Sequence, residues 1–267
     1  MRLDAYLERI GYSDDVRPSA AVLAALHLAH ATHIPFENLD ILRGVPIRLD
    51  LESLQGKLVD ARRGGYCYEQ NLLFGAVLEE LGFTVTRLAA RVRYRATQIN
   101  PRTHMLLLVD VDEGRWLADV GFGAEGLLLP VPFGSEEESR QFTWTYRVMA
   151  PGPKGPGLRD VGRDEWVLQS QHAEGWADLY GFTLEPQLPI DYEIANHYTS
   201  THPESRFVKA LTVQLPTPAA RTALRNRELT VDRNGETTTR VMADEEEVRR
   251  ALRDTFGLPA PADLRIP

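Results

Sequence analysis

Apolar positions recur at helical spacing through the first third of the chain and at strand spacing through its middle. Residues 3–10 predict a short amphipathic helix ended by Gly11. Pro18-Ser19 opens a second helix, with Ala20, Leu23, Leu26 and Leu28 on its apolar side. Pro35 stops it. Residues 51–58 predict a short third helix. Leu72, Leu73, Ala76, Val77, Leu78 and Leu81 then keep a helical period, and Gly82 stands where such a helix ends. From Phe83 the texture changes. Residues 85–94, 104–109, 116–120, 142–149, 165–169 and 175–184 are strand-like, with a turn at Asp112-Glu113-Gly114. The Pro/Gly-rich stretch 151–157 is too short to separate two cores. Residues 191–211 begin as a helix and cross to a third part. There Asn234-Gly235 predicts a hairpin between 228–233 and 237–242. Asp244 then caps a last helix, with Glu247 at capping-box spacing and Gly257 at its end. The expected organisation is α+β: a helical unit at 1–82, a β unit at 83–190 that forms a small barrel, and a crossing segment with a third unit at 191–267.

Composition narrows the possibilities. Of 267 residues, 43% are hydrophobic, enough for a buried core. A formal net charge of −8 argues against a general nucleic-acid binder. Arginine supplies most of the positive charge and grips phosphates in a bidentate manner, so an arginine-lined cleft remains compatible with a phosphorylated co-substrate. The segment 20–31 is too short to span a bilayer and contains His27 and His30. Acids near Met1 interrupt any signal-peptide pattern. A cytoplasmic chain without membrane or nucleic-acid partners is expected, as monomer or homodimer.

Cys67 is the single cysteine, which excludes an internal disulfide and a multi-thiolate zinc site. No metal is expected. Most lone cysteines are small buried hydrophobes. The setting of this one argues otherwise: Gly64-Gly65 precedes it, and a helix begins at or near it. A helix N-terminus favours thiolate and offers N–H groups to an oxyanion.

A cysteine nucleophile needs a base and a group to orient that base. Among seven histidines, His27, His30 and His33 are expected at polar surface positions. His172 is expected in a polar loop, and His197 and His202 in the crossing segment. His104 alone starts a strongly apolar strand. If the hairpin turns on Asp112-Glu113, Asp119 faces Leu106 and is a diagonal neighbour of His104, roughly 7–8 Å away. A one-residue slip, for example a bulge at Gly114, separates them. A purely structural His and Asp is the competing reading. Residues 121–126 match G-x-G-x-x-G after a strand, but Pro130 and Pro132 deny the helix a dinucleotide site requires.

Three motifs carry a resemblance: Pro35-Phe36-Glu37-Asn38-Leu39; Arg63-Gly64-Gly65-Tyr66-Cys67-Tyr68-Glu69-Gln70-Asn71; and His104 with Asp119-Val120-Gly121-Phe122-Gly123. In identity, order and separation they resemble the arylamine N-acetyltransferases, strongly in the first half of the chain and in layout beyond it. The resemblance implies an N-terminal helical bundle, a central β barrel and a C-terminal α/β lid, with a core arranged as in transglutaminases and papain-like cysteine proteases. It implies acetyl transfer from acetyl-CoA, a co-substrate and not a resident cofactor, to arylamines or arylhydrazines through an acetyl-cysteine, with ping-pong kinetics. Cys67, His104 and Asp119 are then the catalytic trio. Phe36, Phe122 and Phe207 are pocket walls, and Glu37 and Arg63 a structural pair. Thr103, Gly123 and Gly126 are candidates for oxyanion or CoA contacts. A carrier-dependent amide synthase, a transglutaminase-like hydrolase and an inactive scaffold are the alternatives.

Overall fold

The computed structural model describes residues 1–123, 125–152, 164–233 and 235–266. Part of the expected 151–157 loop and Asn234 of the expected hairpin turn therefore lie outside the described residues.

Five helices come first: α1 (Leu3–Arg9), α2 (Ala20–His33), α3 (Leu39–Leu42), α4 (Leu51–Leu54) and α5 (Cys67–Glu80). Ser19 caps α2, its hydroxyl accepting from the Val22 N–H at 3.2 Å. The short β1 (Phe36–Glu37) interrupts the helical run, and α4 widens into a π turn over Gln55–Asp60. The expected third helix is thus half α and half π.

The middle is an eight-stranded antiparallel sheet. Its strands are β2 (Thr84–Val92), β3 (Arg102–Val111), β4 (Gly114–Ala118), β5 (Val131–Pro132), β6 (Ser139–Gln141), β7 (Trp144–Met149), β8 (Trp166–His172) and β9 (Gly175–Phe182), in the order β5-β4-β3-β2-β9-β8-β7-β6. β5 comes back against β7, so the sheet curls nearly into a barrel. After α6 (Pro189–Thr201) and α7 (Arg206–Lys209) follow β10 (Thr212–Pro216), β11 (Arg221–Arg225), β12 (Glu228–Arg233), β13 (Glu236–Val241) and α8 (Glu245–Asp254). These four strands extend β1 into a second sheet, ordered β1-β10-β11-β12-β13. Asp244 caps α8, accepting from the Glu247 N–H at 2.9 Å. No helix among the described residues is long and apolar enough to cross a membrane.

β3 shows why its sequence is apolar at every position. Met105, Leu107 and Val109 pack against the helices, while Leu106 and Leu108 fill the barrel interior. Each such side chain, fully buried, contributes roughly 2 kcal/mol of hydrophobic stabilisation. Val111 pairs with Gly114 and Leu107 with Ala118, so the hairpin turns on Asp112-Glu113 as expected. The bulge lies elsewhere: between Ala90 and Arg91 of β2, where Thr103 is the unpaired residue of β3. Bulges re-aim the side chains beside them, and His104 is the next residue.

The Phe36-Glu37-Asn38 motif is a joint. Phe36 and Glu37 pair with Gln214 and Val213 of β10, and Phe36 also bridges Gly65 in parallel. Asn38 donates to the carbonyls of Phe207 (2.7 Å) and Ala210 (2.8 Å) and accepts from the Thr212 N–H (2.7 Å). The loop leading to Cys67 and the C-terminal sheet are thereby stitched through three consecutive residues.

Candidate active site

Cys67 is the first residue of α5. Glu69 holds the helix start, Oε2 accepting from the Tyr66 N–H at 3.0 Å. Gly64 and Gly65 are needed because protein crowds their backbone, not because of an unusual φ. A Cβ on Gly64 would meet the Pro35 carbonyl oxygen at 2.0 Å, and one on Gly65 would meet Glu69 Oε2 at 2.8 Å. The left-handed residue in this loop is Arg62, with φ 49°.

Beneath the loop lies a chain of buried charges. Arg63 Nη2 sits 2.7 Å from Glu37 Oε1 and 3.1 Å from Asp40. Lys57 bridges Asp40 (2.8 Å) and Glu69 (2.7 Å). Glu37 Oε2 also accepts from the Leu39 N–H at 2.6 Å. The expected Glu37–Arg63 pair is present as part of this larger network.

His104 and Asp119 meet as the register requires. His104 Nε2 donates to Asp119 Oδ2 at 2.7 Å. Asp119 Oδ1 accepts from Asn71 Nδ2 and from the Gly121 N–H, both at 2.9 Å. All three members of the trio are buried. Burial pulls the His104 imidazole down. The charge of Asp119, the hydrogen bond to it and the interaction with Cys67 outweigh that and push it up to about 10. Burial pushes the Asp119 carboxyl up, but His104, Asn71 and Gly121 hold it below the usual carboxylate range. The pair is therefore imidazolium and carboxylate. The Cys67 sulfur interacts with the His104 ring, and Sγ donates to the Thr103 carbonyl at 3.7 Å. With Nε2 given to Asp119, Nδ1 is the nitrogen left for sulfur. Thr103 thus turns an acceptor, not its N–H, towards Sγ. Phe122 and Tyr180 pack on the His104 ring at centroid distances of 5.2 and 5.0 Å.

Cys67 and His104 lie in the wall of a cavity of about 680 Å³. Phe36, Phe122, Phe207 and Thr103 line it too. Phe207 stacks on Phe36, 5.7 Å between centroids, so it joins core to cavity. Gly123 and Gly126 stand outside this lining. A Cβ on Gly123 would strike Gln214 Oε1, and one on Gly126 would meet the Gly123 carbonyl at 2.8 Å. Packing of β10 against the loop accounts for Gly123, and the tight turn of the loop on itself for Gly126. No helix follows this glycine loop, so the dinucleotide fingerprint is a false match here.

Three histidine expectations are corrected. His27 and His30 are fully buried, not on the surface. With Leu23, Leu26 and Ala31 they form the buried face of α2, where both histidines satisfy their polar atoms in hydrogen bonds. His27 takes the Asp119 N–H at 3.1 Å, and His30 lies between Tyr6 OH and Gln70 Oε1, both at 2.7 Å. His172 ends strand β8 instead of lying in a loop, with Ser170 Oγ at 2.8 Å. The absence of any charged residue from Ala20 to His33 is the signal that pointed to burial. Asn71 is also a site residue. One turn beyond Cys67, it donates to the Met105 carbonyl at 2.8 Å and accepts from the Val120 N–H at 3.1 Å, besides holding Asp119. Gly121 is another: a Cβ there would lie 2.9 Å from the Cys67 Cα and 2.7 Å from Asn71 Nδ2.

The N-acetyltransferase family model matches residues 19–265. An arylamine N-acetyltransferase of Mycolicibacterium smegmatis is 42% identical over 264 residues, covering 97% of this chain and 92% of the relative. The solved M. smegmatis arylamine N-acetyltransferase superposes with a TM-score of 0.89 at 42% identity, covering 97% of this chain and 92% of that one. The Mycobacterium marinum arylamine N-acetyltransferase, solved in complex with CoA, gives 0.88 at 37% identity, covering 96% and 92%. Extended over nearly the whole length of both chains, these likenesses establish that the chain belongs to the arylamine N-acetyltransferase family.

Proposed function

We propose that this chain transfers the acetyl group of acetyl-CoA to the nitrogen of arylamines or arylhydrazines through an acetyl-Cys67 intermediate. The carrying observation is an imidazolium held by a 2.7 Å bond to a buried carboxylate and in contact with the single thiol, at a cavity of about 680 Å³. Cys67 reacts as a thiolate beside the His104 imidazolium, which the Asp119 charge keeps protonated. Sulfur attacks the thioester carbonyl, its carbon–sulfur bond to CoA breaks, and the CoA thiolate leaves with the His104 proton. One thioester replaces another, so little free energy is gained or lost. CoA departs and the acceptor enters the same cavity. Its nitrogen lone pair attacks the acetyl carbon, His104 takes the amine proton, and Cys67 leaves as thiolate. The amide product is far more stable than the thioester, which makes this half-reaction the downhill one.

An aromatic acceptor suits the site on two grounds. An arylamine nitrogen is uncharged at neutral pH, whereas an alkylamine is a cation without a lone pair to give. Phe36, Phe122 and Phe207 offer ring faces and edges to an aromatic substrate. The backbone N–H of Cys67, at the start of α5, is the oxyanion donor in this reading.

The test is intact-protein mass spectrometry after mixing with acetyl-CoA and no acceptor. One acetyl group is expected on the wild-type chain and none on Cys67→Ala, and the adduct should vanish on adding an arylamine. An unmodified wild-type protein would defeat the reading.

A further inference from the structure

The second sheet ends on a strand that no described part of the chain covers. Its opposite edge, β1, is closed by the bridge from Phe36 to Gly65. β13 pairs with β12 on one side only, and every residue from Glu236 to Val241 is exposed. The ladder to β12 runs without a register shift, so no bulge bends the edge away, and no proline or lysine interrupts it. Those are the devices by which sheets keep their edges from pairing. Val241 on this strand is 70% exposed. One hydrogen bond fixes which main-chain groups face outward. The Met242 N–H donates to the Arg227 carbonyl at 2.7 Å, one step beyond the last ladder pair, Val241 with Glu228. Antiparallel strands alternate, so Arg240, Thr238 and Glu236 also turn their main-chain groups towards β12. Thr237, Thr239 and Val241 turn theirs outward, where no described residue takes them.

The run Glu236-Thr237-Thr238-Thr239-Arg240 is its own antiparallel complement. With a two-fold axis at Thr238, Thr237 pairs with Thr239 of a second copy through the outward groups, and Thr239 with Thr237, for roughly four backbone hydrogen bonds. Glu236 then faces Arg240 at both ends, in the non-hydrogen-bonded positions where side chains lie closest. Glu236 makes no ion pair with any described residue. Arg240 gives Nη2 to Glu247 at 2.7 Å and keeps the other donors of its fork. Val241 comes to lie diagonally beside Thr237 of the second copy. Moving the axis to Thr239 keeps the outward groups matched but sets Arg240 opposite Thr238, so charge selects the register at Thr238.

From this we infer that β13 is a self-pairing edge: two copies of this chain dimerise by antiparallel β13–β13 contact centred on Thr238, merging their second sheets into one. The contact is small, so the dimer is weak and forms as concentration rises. No residue of β13 lines the Cys67 cavity, so each copy keeps its own complete site and the dimer is independent of the chemistry there.

Sedimentation equilibrium measures the dimer Kd of wild type, of Glu236→Arg, of Arg240→Glu and of the two variants mixed. Each variant alone sets like charges opposite each other at both ends, and its Kd is expected to rise about tenfold. The mixed dimer of the two variants has opposite charges at both ends again, so an equimolar mixture should return to within about twofold of wild type. Thr239→Pro removes an outward N–H and leaves the bonds to β12 in place, so it should abolish the dimer. Circular dichroism checks that each variant is folded. The register is read by cross-linking in a Cys67→Ala background, where the substituted position holds the one thiol. Thr238→Cys should form a disulfide on mild oxidation, its Cα about 4.5 Å from that of its copy. Thr237→Cys, about 8 Å from its copy, should not. A wild type still monomeric at about 1 mM, or a dimer whose Kd none of these variants moves, would overturn the proposal. Linkage through position 237 in place of 238 would overturn the register.

Discussion

The backbone N–H of Asp119 donates to Nε2 of His27, 3.1 Å away, so a histidine of α2 holds by its main chain the residue whose carboxylate meets His104. Its other nitrogen, Nδ1, faces the Leu128 carbonyl at 3.0 Å and must carry the proton. The ring is neutral with both nitrogens used. His30 is neutral in the same way: Nδ1 accepts from Tyr6 OH and Nε2 donates to Gln70 Oε1. Burial takes His27 down to about 4 and His30 down to about 3.

These values set the acid limb of stability. An unfolded histidine titrates near 6.5. Between that value and about 4 the unfolded chain binds more protons than the folded one, so stability falls as pH falls. Each histidine contributes roughly 3 kcal/mol to that loss. His104 acts in the opposite sense. Its folded value is raised to about 10, so its contribution is complete below 6.5 and is lost as pH rises towards 10. The urea midpoint is expected to decline on both sides of about pH 6.5. His27→Gln and His30→Gln should each flatten the acid side. A midpoint unchanged between neutrality and mild acid in the wild type would contradict this account.

Asp119→Asn tests the other end of the same contact. The amide keeps the shape but loses the charge that holds His104 protonated against its own burial. The imidazole should fall below its ordinary value, and the ring is free to take the wrong tautomer. Comparable losses in other triads reach about 10⁴-fold in kcat. A drop of about 10²–10⁴-fold in single-turnover acetylation of Cys67 is expected, with the alkaline limb of the rate profile moved to lower pH. Circular dichroism should stay unchanged. An unmoved alkaline limb would show that another group carries the proton.

Gly121→Ala probes a contact no charge argument reaches. The added methyl would sit 2.9 Å from both the Cα and the carbonyl oxygen of Cys67. Neither belongs to a flexible side-chain end, so the glycine loop must retreat from α5. Overpacking of this kind costs about 1–3 kcal/mol. It would also draw the Gly121 N–H away from Asp119 Oδ1. Thermal melting and acetylation rate should fall together. A melting temperature matching wild type would mean that the loop has room to move.

Much of this site was legible in residue order because it is local or follows strand arithmetic. The start of α5 at Cys67 followed from the apolar period after it. The His104–Asp119 meeting followed from a two-residue turn at Asp112-Glu113, since one register put them on one face. What was not legible depends on contacts between distant segments. Gln214 fills the space beside Gly123, and Arg221 from the second sheet donates to the Gly126 carbonyl at 3.1 Å, yet neither has a local pattern to betray it. His27 and His30 were misplaced because polar side chains were assigned to the surface, although their spacing from Leu23 and Leu26 puts them on the face that α2 buries. The glycine pair before Cys67 was legible as a requirement but not in its cause, which is the approach of Pro35 and Glu69.

The buried charges under the Cys67 loop yield the last prediction. Lys57 is the cation nearest Glu69, at 2.7 Å, and the residue is 2% exposed. Burial already pushes the Glu69 carboxyl up, with Lys57 opposing it. Lys57→Met would leave Glu69 with the Tyr66 N–H as its remaining hydrogen bond, and Asp40 with Arg63 and Arg43. An uncompensated buried charge costs about 3–5 kcal/mol, so a large loss of stability is expected. Because Glu69 caps the helix that begins on Cys67, acetylation should slow as well. Adding Glu69→Gln removes the stranded charge while keeping a side-chain oxygen for the Tyr66 N–H. The double variant should therefore recover more than half of the lost stability, and a double-mutant cycle from urea unfolding reads this directly. Strictly additive losses would show that the two groups do not compensate each other, and that the helix start is held by packing alone.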